Sequence, residues 1–227
     1  MARTFNGTTQ YLSEASTLLT NEPIDMVAFF NADIITANLN AMSLGDGGAA
    51  LGTYALQARG DIASDPVYAS KLNDAGTAGF AATSAGFAAL TWYVGGASFI
   101  SDTSRSSFLN GASKGTNTTN ITDPTPNFIS IGAQRRSTVT NYFDGSIAEA
   151  YILDTNMTDA QHALAGKGIS PFWLIPGKNV RAWYPLQGNN NNRVRNGYPN
   201  LTATNSPTNG THPARVFRPR INGVITV

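Results

Sequence analysis

The stretch NYFDGSIAEAYILDTNMTDAQHALAGKGISPF, from Asn141 to Phe172, decides the fold. Its first half alternates in strand fashion after a Phe-Asp-Gly turn and reaches a second turn at Asp154. Thr158 is a good helix N-cap, and Gln161 three residues later completes a capping box. Asp159 suits the positive end of a helix. Ala160, Ala163 and Leu164 give a small apolar stripe. Gly166 and Gly168 can end the helix, and Pro171 prevents its renewal. The spacing predicts strand, turn, strand, one short helix and an extended exit.

Working outward, strand-like runs alternate with turn residues. IDMVAFFNA (24–32) is almost continuously apolar, as for a strand buried on both faces. QYLSEAS (10–16) and ANLNAMSLGD (37–46) alternate. FAALTWYVGGASFIS (87–101) is long enough for a bent strand, with Gly95-Gly96 as the bend. About a dozen short strands with one helix predict an all-β sandwich of two sheets. Residues 1–165 form the sandwich in this reading, 166–188 an extension packed on it, and 189–227 a basic C-terminal hairpin or arm. That last piece is too short to bury a core of its own.

The 227 residues include 13% charged residues and no Cys. Disulfides and thiolate metal sites are thereby excluded. No apolar run approaches the roughly 18 residues of a membrane span. The opening MARTFNGTTQYL lacks the apolar centre of a secretory signal. The six Asn-x-Ser/Thr sequons are therefore read as chance in an Asn/Thr-rich chain. Charge is uneven: residues 1–159 carry 7 Lys/Arg and all 14 Asp/Glu, whereas 160–227 carry 8 Lys/Arg and no acid. Such asymmetry predicts that the basic arm contacts an acidic surface. The arm has few clustered aromatics and no nucleic-acid motif, which favours protein over nucleic acid as the partner.

At RTFNGTTQYL, PIDMVAFFNAD, ALTWYVGGASFISDTSRSSFLNG and the Phe-Asp-Gly strand with its capped helix, the chain resembles laminin-G-like, concanavalin-A-like jelly rolls. The segment GISPFWLIPGKNVRAWYPLQGN, followed by GYPNLTATNSPTNGTHPARVF, resembles the extension of laminin-G-like proteins encoded by tailed phages. The likeness covers roughly residues 3–217. It implies the two-sheet antiparallel jelly-roll form of the sandwich. It also implies a non-enzymatic virion protein, a head decoration or tail-associated module, made in the host cytoplasm and partnered by capsid or tail subunits. A homo-oligomer is among the implied states. The alternative it leaves open is a lectin-like module that binds host-surface polysaccharide. In the virion reading Arg193, Arg195, Arg215, Arg218 and Arg220 tether the protein to an acidic neighbour, since the guanidinium fork pairs with carboxylates in two bonds.

Catalysis is weighed on the carboxylates. Retaining glycosidases need two about 5–5.5 Å apart. Glu149 and Asp154 are the nearest pair in sequence, and their spacing puts them on opposite faces of a regular strand. GASKG (111–115) matches a nucleophile-elbow pattern but is followed by loop residues rather than a helix, so Ser113 is read as a turn residue. His162, a partly exposed helix residue in this reading, and His212, a loop residue, have no metal-ligand partners at useful spacing. No cofactor is expected. Calcium, which takes six to eight oxygens, is the metal that the turns at Asp46, Asp102 and Asp144 could suit, although each Asp also serves as an ordinary turn residue. The aromatics available for stacking on sugars are Tyr54, Tyr68, Trp92, Tyr93, Tyr142, Trp173, Trp183 and Tyr184. Trp92 and Phe30 are expected in the core, and Trp173 and Trp183 are expected to pin the extension onto the sandwich.

Overall fold

The computed structural model describes residues 1–48, 51–194 and 197–213. Its strands in chain order begin with β1 (Ala2–Asn6), β2 (Tyr11–Ala15), β3 (Ile24–Ala32), β4 (Asn38–Gly45), β5 (Thr53–Arg59) and β6 (Pro66–Leu72). Then come β7 (Ala78–Gly86), β8 (Trp92–Ser101), β9 (Ser104–Leu109), β10 (Ala112–Asn117), β11 (Phe128–Ile131), β12 (Gln134–Arg135), β13 (Val139–Thr140) and β14 (Asp144–Leu153). Helices α1 (Asp159–Gly166) and α2 (Pro171–Leu174) precede β15 (Val180–Tyr184), β16 (Thr202–Thr204) and β17 (Thr208–Gly210). An eight-stranded sheet runs β10-β9-β8-β3-β14-β1-β17, with β15 also paired to β14, and a seven-stranded sheet runs β16-β2-β11-β4-β5-β6-β7. All pairings are antiparallel, as the jelly-roll reading requires.

Alternation sorts the side chains. From β3, Ile24, Met26, Ala28, Phe30 and Ala32 enter the core between the sheets, where they meet Leu44, Tyr54 and Leu56 of the facing sheet. Val27 and Phe29 point the other way, into a second apolar cluster with Tyr151, Ala165, Ile175 and Trp183. The unbroken apolar run of β3 thus reflects burial on both faces. Strand β14 is long enough to take two neighbours end to end on one side: Arg3 to Asn6 of β1 pair with its first half, and β15 pairs with its second. The Asp144-Gly145 turn starts it, and Gly145 has φ +131°, with a Cβ there falling 2.2 Å from the Asn31 carbonyl oxygen.

The capping box on α1 forms as its sequence requires: the Thr158 hydroxyl accepts the Gln161 N–H, and the Gln161 side chain accepts from the Thr158 N–H. His162, expected partly exposed, is 2% exposed. Its ring stacks on Phe108 at 3.8 Å between centroids. Its Nε2 lies 3.0 Å from Ser98 Oγ and 3.1 Å from Asp25 Oδ2. The Ser98 hydroxyl donates to the same carboxylate oxygen at 2.6 Å, and the Met157 N–H donates to it at 3.1 Å. A short helix with a weak apolar stripe is thus seated by one buried imidazole. The exit after α1 is helical, not extended, because Pro171 occupies the first position of α2, where its missing N–H costs nothing, and Ser170 caps it.

Two other sequence expectations change. The bend foreseen at Gly95-Gly96 is absent: both pair regularly with Ala28 and Val27, and the irregularity falls between Phe99 and Ser101. A Cβ at Gly96 would lie 2.9 Å from His162 Nδ1, so this glycine provides room for the imidazole. Residues 202–210, expected in a hairpin or arm, instead send β16 to β2 and β17 to β1, one strand to each sheet. The Asn run before them is structural. Asn192 Oδ1 accepts from the Trp183 and Val194 N–H groups, while its Nδ2 donates to the Arg181 and Tyr198 carbonyls.

At the opposite side, the edge strands β7 and β10 meet. A Cβ at Gly115 would fall 1.7 Å from the Ala82 carbonyl oxygen, which is backbone and has no rotamer by which to yield. Gly115→Ala is therefore expected to destabilise the fold by at least about 2 kcal/mol, read as a lower urea midpoint with an unchanged slope.

Candidate functional site

One row of residues crosses five strands on the outer face of the eight-stranded sheet. Register places Thr208, Thr4, Ser146, Asn31 and Trp92 side by side, from β17 through β1, β14 and β3 to β8. Helix α1 and the segment after it cover this face toward the other end of the strands, where Ala165 and Ile175 join Val27 and Tyr151 in one apolar cluster, and the cover stops at this row. What is left is a two-lobed groove with half-buried Trp92 lining both lobes.

The first lobe is a cleft of about 430 Å³ whose floor is apolar: Phe29, Trp92 and Val94, with Asn110 and Lys167 at its polar margin and Pro213 in its wall. Asn110 is held by its Oδ1, which accepts the Val94 N–H at 2.9 Å. The second lobe, about 350 Å³, is polar: Thr4, Asn31, Asp33, Ser146 and Thr211 line it, with exposed Leu90 at its lip. Thr4 Oγ1 and Ser146 Oγ share a hydrogen bond of 2.7 Å. Asn31 Oδ1 is shielded and has no hydrogen-bond partner among the described residues. Behind exposed Asp33, the Asp144 carboxyl is pushed above its ordinary value by burial and, secondarily, by the Asp33 charge. Gly210, Thr211 and Pro213 complete the walls, so the segment foreseen as an arm builds part of the groove.

The aromatics divide clearly. Tyr54, Trp183 and Tyr184 are buried, Trp183 by stacking on Tyr151 at 5.9 Å, which pins the extension as expected. Trp173 does not pin it: at 61% exposed it faces solvent on α2. Trp92 is not in the inter-sheet core, because its parity on β8 sends it outward, whereas Phe30 is a core residue. Tyr93 packs inward against Phe30, and Tyr142 against Tyr11. On the other sheet, Tyr68 and Phe80 form an outward pair 5.7 Å apart, with the Arg59 guanidinium over Tyr68.

The three Asp residues considered for calcium are not brought together. Asp46 spends its Oδ1 on the Gly48 N–H and the Asn127 amide. Asp144 lies beside Asp33 behind the groove. Asp102 joins Glu22 and Asp123, but the place for a cation among them is taken by the Lys71 ammonium at 2.9, 3.0 and 2.7 Å respectively. These residues do not fit a calcium shell. Glu149 is fully buried and accepts from the Tyr151 hydroxyl and, at 3.3 Å, from the Trp183 indole N–H. His212 Nε2 lies 3.7 Å from its other oxygen. Asp154 pairs elsewhere, with Arg181. Ser113 sits at a register shift in β10, with strand rather than helix after it. Arg193 is exposed, and Arg195, Arg215, Arg218 and Arg220 lie outside the described residues.

With this geometry the chain is a jelly-roll sandwich carrying a groove on one outer sheet face. Neither a protein-family model nor a curated protein sequence matches it. Solved structures match through the fold. A proposed carbohydrate-binding protein from Bacteroides ovatus superposes with a TM-score of 0.63 at 18% identity, covering 95% of this chain and 61% of its own. The CBM40 of the Ruminococcus gnavus IT-sialidase, bound to α2,3-sialyllactose, superposes with a TM-score of 0.58 at 13% identity, covering 73% of this chain and 98% of its own. Mouse laminin α1 domains LG4-5 superpose with a TM-score of 0.50 at 15% identity, covering 66% of this chain and 40% of theirs. The laminin-G-like fold expected from the sequence is thus shared. A virion protein is not among these three structures.

The Lys71 cluster makes a pH prediction. Burial pushes the Glu22 carboxyl up to about 7, against the pull of Lys71. Hydrogen bonds to the carboxylates outweigh burial and hold Lys71 above its ordinary value, and bonds from Lys71 and Tyr54 hold Asp123 below its own. Arg105 also faces the cluster, with Nη2 donating to the Asp102 carbonyl at 2.7 Å. The folded state keeps a proton on Glu22 that the unfolded chain releases near its ordinary value of 4.5. Stability from this group is full below that pH and is lost as pH rises to about 7. Against Glu22→Gln, which stays neutral, the wild type should lose roughly 1–2 kcal/mol across that window after screening on the exposed Asp102 side. Denaturant melts at several pH values measure it, and a constant difference between the two proteins would contradict it.

Proposed function

We propose that the protein is a non-catalytic carbohydrate-binding module and that the Trp92 groove is its site. The observation that carries this reading is the position of Trp92 between an apolar lobe and a lobe of hydroxyl, amide and carboxylate groups. A pyranose ring has an apolar face of C–H bonds and an edge of hydroxyls, and it needs both surfaces at once. An indole offers the flat apolar area, and fixed polar groups beside it set orientation. The structural neighbours described as carbohydrate-binding support the same class. The buried state of Glu149, walled in by Tyr151 and Trp183, favours binding over hydrolysis, because a catalytic carboxylate must reach the glycosidic oxygen.

A glycan array followed by calorimetry tests the reading. Saturable binding of at least one oligosaccharide is expected, weakened at least about tenfold by Trp92→Ala. Phe80→Ala, on the opposite sheet, should leave it unchanged. An array without binding, or binding indifferent to Trp92→Ala, contradicts the assignment. Release of reducing sugar that disappears in Glu149→Gln would contradict its non-catalytic half.

A further inference from the structure

We infer that the sugar unit seated in the polar lobe is an amino sugar, with its ammonium group directed to Asp33. This rests on the carbohydrate reading of the groove and specifies the ligand. The polar lobe is short of positive charge. Its described lining contains no Lys, Arg or His. It contains the exposed Asp33 carboxylate, which a solute in the lobe can reach. Thr4 and Ser146 share one hydrogen bond, which uses one of their two hydroxyl protons and leaves the other for a neutral sugar hydroxyl, so this pair supplies no charge to the lobe.

The field has the same sign. Asp144 stands behind Asp33, and its raised proton affinity registers both burial and the negative charge of its neighbour. A ligand carboxylate entering here would meet like charge, whereas an ammonium would meet a charge-assisted partner. Trp92 adds to the preference, because the indole face attracts a cation within about 6 Å of its centroid. The described cation that lines the groove, Lys167, belongs to the other lobe, beyond Trp92. A glycan with its acid in the polar lobe therefore gains nothing from it. A neutral hydroxyl could satisfy the acceptors singly, but only a protonated amine supplies several donors together with the opposite charge.

The test compares three probes at pH 6 by calorimetry: a glucosamine oligomer, the N-acetylated oligomer of the same linkage and length, and sialyllactose. The glucosamine oligomer is expected to bind about tenfold tighter than its acetylated counterpart. Asp33→Asn should remove that preference while retaining the weaker binding. The Asp33 backbone N–H bonds the Asp144 carbonyl, so the side-chain change spares the loop. The preference should also shrink as salt is raised. Equal affinities for the two oligomers, tighter binding of sialyllactose, or a preference that survives Asp33→Asn would overturn the inference. If neutral oligomers bind through Trp92 without an amine preference, the carbohydrate reading stands and this inference fails. Absence of binding by every probe contradicts this inference and, when the array is also blank, the reading beneath it.

Discussion

The architecture depends on strand β3 being buried on both of its faces. Its inward side chains fill the space between the sheets, an arrangement that a two-layer sandwich provides without help. Its outward side chains need a separate cover, and the chain spends much of residues 157–194 on providing one. Helix α1 is held there by His162 against Asp25, Ser98 and Phe108, and Trp183 closes over Tyr151. The cover ends where the outward residues of β3 change from Phe29 to Asn31. The groove is therefore an uncovered end of that face.

The same constraint explains the polar chemistry of that face. Carboxylates lie in it at three depths. Asp25 is fully buried and anchors α1, Glu149 is fully buried under the extension, and Asp33 is exposed at the open end. Only the last is free to meet a solute. The Lys71 cluster lies at the inter-sheet end of the seven-stranded sheet and supplies its own counter-charge. It resembles a metal site in its ligands, yet an ammonium occupies the central position.

Much of the fold was legible in residues whose local chemistry has one solution. The continuous apolar run of β3, the capping box at Thr158 and Gln161, and the Asp144-Gly145 turn each specify their own geometry. Other features depended on partners far along the chain. His162 reads as partly exposed because its helix has little apolar surface, and nothing in its neighbourhood announces Asp25 and Ser98. Trp92 sits in an apolar run, but its parity relative to Gly96 and Ser98 decides that it points outward. The groove itself was not legible, since it joins β1, β3, β8 and β14 to residues beyond 207. Gly95 and Gly96 read as a bend because sequence does not reveal that a ring would need the space.

Central to the account is the claim that Trp92, rather than another exposed aromatic, receives the sugar. The chain has three Trp residues, so its indole N–H signals form a small, assignable set in a proton–nitrogen spectrum. Titration with an oligosaccharide that binds should move the Trp92 indole signal saturably while those of exposed Trp173 and buried Trp183 stay in place. A saturable shift of Trp173 with Trp92 unmoved would contradict the account.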